Sequence, residues 1–217
     1  GTVIARIHTS SSGQGHETLV STVIGEVLGI NPESIRVVRP NSLESLPGNS
    51  PVGSRMAIML GGAAARAAEK LKSKIVAIAA HQLQCEAASI HYQGGHMLSA
   101  DGRQISWDDI IELAHRQIHG LPDGMDPGLA SFDIMQVPTG GDLPKDGKVH
   151  MYPCYSFEFH LVLVAFDPII GKPEIRSYTI GHDCGTVINP AIVSGMTYGG
   201  IAHGIGAALL EEFAYDE

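Results

Sequence analysis

Changes in the spacing of apolar residues divide this chain into elements. The run Val3-Ile4-Ala5-Arg6-Ile7, within residues 2–8, reads as a short strand. Between 16 and 28, Leu19, Val20, Val23, Ile24, Val27 and Leu28 recur at helical spacing, and Gly29 closes that helix. After the turn Asn31-Pro32-Glu33, Ile35-Arg36-Val37-Val38 reads as a second strand. A loop opening at Pro40-Asn41-Ser42 ends at Ser50-Pro51, which reads as a helix cap followed by proline in the first turn. A long helix is predicted from there into the eighties, with Leu60, Ala64, Ala68, Leu71, Ile75 and Ile78 on one face. Small residues fill its first half, from Gly61-Gly62 to Ala68, so another backbone is expected to pack closely there.

The middle differs in character. Ser89-Ile90-His91-Tyr92, the Gly94-Gly95 turn and His96-Met97-Leu98 predict a hairpin, and Ser106-Trp107-Asp108-Asp109 caps a helix running to about Ile118. Residues 119–148 are rich in Gly, Pro and Asp and show little periodicity; they read as an ordered excursion or a partner-contacting loop. The pattern then resumes. Residues 157–166 and 174–180 are strand-like and form a hairpin across Asp167-Pro168 and Gly171-Lys172. His182-Asp183-Cys184-Gly185 is a loop, Asn189-Pro190 is a second cap with first-turn proline, and the closing helix carries Gly195, Gly199, Gly200, Gly204 and Gly206. Each glycine costs a helix roughly 1 kcal/mol relative to alanine, so close packing or a ligand is expected to offset them. The fold class expected is α+β, in three parts: a first α/β subdomain at 1–86, a hairpin-helix-loop insertion at 87–150, and a second subdomain at 151–217 with the glycine-rich helix.

Composition narrows the partners. The 217 residues are 44% hydrophobic, which suits a globular chain, and 14 basic against 23 acidic residues give a formal charge of −9. That balance argues against nucleic acid or an anionic membrane as partner. Cys85, Cys154 and Cys184 are odd in number and lack any CxxC spacing, as in reduced thiols of a cytoplasmic protein. No leader or bilayer-length apolar run is visible, and the start at Gly1 without methionine reads as a piece of a longer polypeptide or a processed or split subunit.

The candidate chemistry centres on Gly13-Gln14-Gly15, between the first strand and helix. The glycines let a backbone approach a ligand, Gln14 adds an amide that both donates and accepts, and the helix start favours an anion. A lone GxG fits a plain β-α turn equally well, and as a dinucleotide fingerprint it lacks the third glycine and the acidic position. Of the eleven histidines, His8, His16, His81, His91 and His96 show no HExxH or i,i+4 pairing and read as ordinary surface or core histidines, so no metal site is expected. His182 and Cys184 do not form a nucleophile pair in this reading, and Glu211-Glu212 diverge on a helix end, so no catalytic residue is assigned.

Taken together, Gly13-Gln14-Gly15-His16-Glu17-Thr18, then Gly53-Ser54-Arg55 leading into Gly61-Gly62-Ala63-Ala64, then Asp183-Cys184-Gly185, Ile188-Asn189-Pro190, Gly195, Gly199-Gly200, Gly204-Ile205-Gly206 and Leu210-Glu211-Glu212, resemble the molybdopterin-binding large subunit of the xanthine dehydrogenase, aldehyde oxidase and aerobic carbon monoxide dehydrogenase family. The resemblance covers nearly the whole chain and corresponds to a later portion of that subunit. It implies mixed-sheet, two-layer subdomains of the molybdenum-cofactor-binding type, about one lobe. It further implies a molybdopterin cofactor with molybdenum, in the cytosine dinucleotide form, and hydroxylation of an aldehyde or N-heterocycle-type substrate with oxygen from water. Iron-sulfur ([2Fe-2S]) and FAD groups are implied on partner domains or subunits of an oligomeric complex that includes the rest of the molybdenum subunit.

By the same resemblance, Gln14 would bond the pterin or its phosphates, with Gly13 and Gly15 admitting it to the backbone. Gly53, Ser54 and Arg55 would hold the pyrophosphate, and Gly195 would contribute from the last helix. The chain departs from the family pattern at Met56-Ala57, where a hydroxyl pair is usual, and at Met196, where a glutamine is common. Neither the upstream Phe-Gly-Gly segment nor the downstream Gly-Glu motif that carries the general base is in this sequence, so the chain alone is expected to be inactive. The other readings are a non-catalytic scaffold derived from the same family and, with least behind it, a free-standing hydrolase.

Overall fold

The computed structural model describes residues 2–39, 41–46, 48, 50–136, 147 and 154–216. β1 (Val3–Arg6) and β2 (Ile35–Val38) lie parallel, with Val3 opposite Ile35 and Arg6 opposite Val38. α1 (His16–Leu28) crosses between them and ends as its period predicts, on Gly29 at φ 69°, whose N–H donates to the Gly25 carbonyl. Val20, Ile24 and Leu28 of α1 close a core with Ile7, Ile35 and Ala68.

α2 (Met56–Leu83) is long enough to serve two cores. Its first half packs on α1. Its second half brings Ile75, Ile78 and Ala79 against Met97, Ile110, Ala114 and Leu121. Those come from an antiparallel sheet of β3 (His91–Gln93), β4 (His96–Leu98) and β5 (Gln104–Ser106), from α3 (Trp107–His115), and from the segment after it. Ser106 caps α3 by accepting from Asp109 N–H at 3.1 Å.

Three expectations shift here. α2 begins at Met56, not Pro51, because Gly53 (φ 68°) and Ser54 (φ 50°) adopt the left-handed conformation, which a right-handed helix cannot continue through. The expected hairpin gains the third strand β5, three residues long and too short to show a period. α3 stops at His115, and a separate 3₁₀ turn, Ile118–Gly120, follows.

Residues 129–136 lie along the small-residue half of α2. A Cβ on Gly62 would come 3.2 Å from Met135 Cγ, and the Ser131 hydroxyl donates to the Ala67 carbonyl at 2.7 Å. What packs over Gly61-Gly62 is therefore side chains, Met135 of this strap on one side and Leu19 of α1 on the other, rather than the close backbone expected. Of the excursion expected at 119–148, residues 137–146 and 148 lie outside the described residues.

The last part is a ribbon of β6 (Phe157–Asp167) and β7 (Lys172–Asp183), antiparallel, followed by α4 (Pro190–Leu209). A bulge at Arg176 shifts the register between Leu163↔Ser177 and Val164↔Ile175. Asn189 caps α4 by accepting from Ile192 N–H at 3.1 Å. No described residue from 154 onward is buried. Among the five α4 glycines only Gly206 has a neighbour within 4 Å of a built Cβ, so the described residues do not supply the close packing expected around this helix. Architecturally the chain is α+β, with parallel and antiparallel pairings in separate sheets rather than mixed within one.

Candidate functional site

Parallel strands followed by helices put the helix starts at the carboxyl ends of the strands, where open α/β layers usually take ligands. The glycine turn lies there. Gly13 has φ 104° and Gly15 φ 74°, and Gly15 caps α1 with no side-chain hydrogen bond to its first N–H groups. Gln14 is oriented from within the turn: its Oε1 accepts from Ser12 N–H at 2.6 Å and from the Ser11 hydroxyl at 3.3 Å. The acceptor half of the amide is thus engaged locally. Its Nε2 has no partner among the described residues, which leaves two donors suited to an anion or a ring carbonyl. His16 beside it is a satisfied core histidine, 5% exposed, with Nδ1–H donating to the Ser10 carbonyl at 3.1 Å.

Gly53-Ser54-Arg55 forms the turn into α2, whose first N–H groups also have no side-chain cap. Arg55 Nη2 donates to the Ser50 carbonyl at 3.0 Å, while Nε is shut off from solvent without a hydrogen-bond partner among the described residues. An unpaired buried donor on a cation costs about 1–3 kcal/mol or more, so an acceptor placed against this Nε would be stabilising. The starts of α1 and α2 adjoin: Leu19, one turn into α1, reaches within 3.6 Å of a Cβ built on Gly61. The start of α4 joins them, because Ile192 Cδ1 lies 2.7 Å from a Cβ built on Gly15. The fold therefore links the Gly13-Gln14-Gly15 turn to the Gly53-Ser54-Arg55 helix on one side and to the helix of Gly195 on the other. Gly195 itself faces open space. Met56 and Ala57 are the first residues of α2, where backbone N–H groups can still donate whatever the side chain, and Met196 is 55% exposed.

Over its whole length, residues 1–217, the sequence matches the molybdopterin cofactor-binding domain. The chain belongs to that family. The nicotine 6-hydroxylase large subunit of Paenarthrobacter nicotinovorans is 33% identical over 100% of this chain and 25% of its own length. The carbon monoxide dehydrogenase large chain of Hydrogenophaga pseudoflava is 29% identical with the same coverage. In structure, the reconstituted CO dehydrogenase from Oligotropha carboxidovorans superposes with a TM-score of 0.82 at 28% identity, covering 100% of this chain and 25% of that one. This molybdopterin cofactor-binding domain thus spans about a quarter of the length of its relatives. No helix among its described residues is long and apolar enough to cross a membrane, and none of those residues forms a group of three that could hold a metal ion.

A second polar cluster escaped the sequence reading. Glu158 lies opposite His182 on the ribbon; its Oε1 is 2.6 Å from His182 Nδ1 and its Oε2 is 3.3 Å from His160 Nε2, while His160 Nδ1 meets the Tyr178 hydroxyl at 3.0 Å. These residues alternate along two strands, but their meeting depends on a register that a bulged ribbon does not reveal in sequence. The hydrogen bond from His160, more than that from His182, holds the Glu158 carboxyl below its usual range. A carboxyl depressed in the folded state stabilises above its unfolded pKa and loses that contribution as pH falls through the folded value. Glu158→Gln is therefore expected to lower the melting temperature at pH 7. The gap from the parent should close below about pH 4; a gap constant from pH 7 to pH 3 in a thermal-melt series counts against this account.

Proposed function

We propose that this chain is the cofactor-holding portion of the large subunit of a molybdenum hydroxylase, with molybdopterin bound where the starts of α1 and α2 adjoin. The observation that carries the reading is the buried Nε of Arg55, unpaired among the described residues, at an uncapped helix start linked through α1 to the Gln14 turn. The residues fit a phosphorylated pterin in chemistry. Arg55 offers a guanidinium, Ser54 a hydroxyl, the starts of α1 and α2 free N–H groups, and Gln14 an oriented amide nitrogen. Gly13 and Gly15, both at positive φ, leave the turn without side chains beside that amide.

When bound, the cofactor supplies hydroxylation of an electron-poor carbon with water-derived oxygen. The protein supplies binding, orientation and electrostatics. Gln14 donates through Nε2 because its carbonyl is already engaged, which favours one orientation of the ligand. Arg55 neutralises phosphate charge in a site where its Nε is screened from water. No residue of this chain is assigned to the chemical step. The same reading carries the cytosine dinucleotide form of the cofactor, iron-sulfur and flavin groups on partner subunits of a cytoplasmic oligomer, an aldehyde or N-heterocycle-type substrate, and the three-part division at 86 and 150.

Molybdenum and pterin analysis of the protein purified from its host with its co-purifying subunits tests the proposal. Stoichiometric metal and pterin, with CMP released on acid hydrolysis, is the expected result. A folded assembly without either would make this a family-derived scaffold, in which Met56, Ala57 and Met196 mark the lost contacts.

A further inference from the structure

The strap at residues 129–136 is held to α2 by polar tethers that the glycine motifs do not explain. Asp133 is its centre. Its side chain is only 4% exposed, with Oδ2 at 2.6 Å from Lys70 Nζ; Oδ1 stands at ion-pair distance, 3.2 Å, from Arg66 Nε without a hydrogen bond among the described residues. Lys70 Nζ also donates to the Phe132 carbonyl at 3.1 Å, and Arg66 Nη1 reaches Met135 Sδ at 3.4 Å. With the Ser131 bond to Ala67, strap residues 131–135 engage α2 at positions 62, 66, 67 and 70. The hydrogen bond from Lys70, aided by Arg66, holds the Asp133 carboxyl below its usual range.

What needs this bracing is the first half of α2. Gly61 and Gly62 sit less than two turns after Arg55, in a helix that two adjacent glycines weaken. The helix nevertheless has to present Arg55 in one fixed position. α1 supports Gly61 through Leu19, and the strap supports Gly62 through Met135, so the weak turn is held from both sides. We propose that Asp133, through the strap, is a positioning residue for the Arg55 end of α2, so that loss of the Asp133 clamp loosens the cofactor anchor without touching it. This rests on the reading of Arg55 as that anchor.

The test compares Asp133→Asn, Asp133→Glu and Arg55→Ala in the complete protein with its subunits, reading molybdenum retained after dialysis and amide hydrogen exchange along residues 56–70. Asp133→Asn is expected to retain at most one fifth of the parental molybdenum and to exchange at least tenfold faster at 58–66, while amides of α3 stay unchanged. Asp133→Glu should recover most of the retention. In the double variant Asp133→Asn with Arg55→Ala, the two losses should not multiply, because both act on one contact. If Arg55→Ala loses metal while Asp133→Asn keeps it, the positioning role is wrong and the anchor stands. If Arg55→Ala keeps its metal, the anchor reading fails first. Faster exchange spread equally over α2 and α3 would reduce Asp133 to a general stabiliser and overturn the proposal.

Discussion

Arg55→Ala is expected to weaken retention of the molybdenum cofactor by about tenfold to a hundredfold while leaving the melting temperature of the cofactor-free protein unchanged or slightly raised. A hydrogen bond to a charged group contributes about 1.5–3 kcal/mol, and 1.4 kcal/mol is a factor of ten. The two readouts separate binding from structure. If Arg55 served the fold, its removal would cost stability. Among the described residues, however, its Nε is buried without a partner, and its Nη2 hydrogen bond to the Ser50 carbonyl ties down an exposed loop. Removing an unsatisfied donor relieves a cost. Arg55→Lys keeps the charge but not the planar fork, and should fall between parent and alanine. A large drop in melting temperature with unchanged metal content would show Arg55 to be structural.

Gly15→Val is the substitution from which the greatest loss of stability is expected, about 2–5 kcal/mol in denaturant unfolding. Two costs add. Gly15 sits at φ 74°, where a residue with a Cβ loses about 1–2 kcal/mol. The new side chain would also meet Ile192 Cδ1, already 2.7 Å from a built Cβ, and overpacking of this kind costs about 1–3 kcal/mol. The two are separable. Ile192→Val removes the crowding methyl and should recover part of the loss, whereas Gly15→Asn, which tolerates the left-handed conformation better than valine, should recover part of the other. Equal midpoints for Gly15→Val and the parent would mean that α4 does not rest on this turn.

How much could be read in advance follows from the range of each interaction. The period of α1 and its Gly29 stop are local, and so were legible, as was the place of the Gly13-Gln14-Gly15 turn between strand and helix, though not the positive φ of its glycines. The Ser50-Pro51 start of α2 misled because a good local cap signal was overridden two residues later by the left-handed pair Gly53 and Ser54. Gly61-Gly62 signalled a close neighbour, but not which one, since the strap has no period of its own. The engaged carbonyl of Gln14 and the isolated Nε of Arg55 depend on burial and hydrogen-bond direction, which residue order does not carry. The same holds for Ile192 against Gly15, a contact between the two ends of the chain.

The ribbon and α4, with every described residue at least partly open to solvent, form the part of this chain that its own cores do not cover. Residues before 137 enclose two apolar clusters of their own and can collapse on nearby contacts. A two-stranded ribbon has little stability until another surface lies on it. Ile192 ties this part of the chain to the glycine turn, so a surface that covers the ribbon would also steady Gly15.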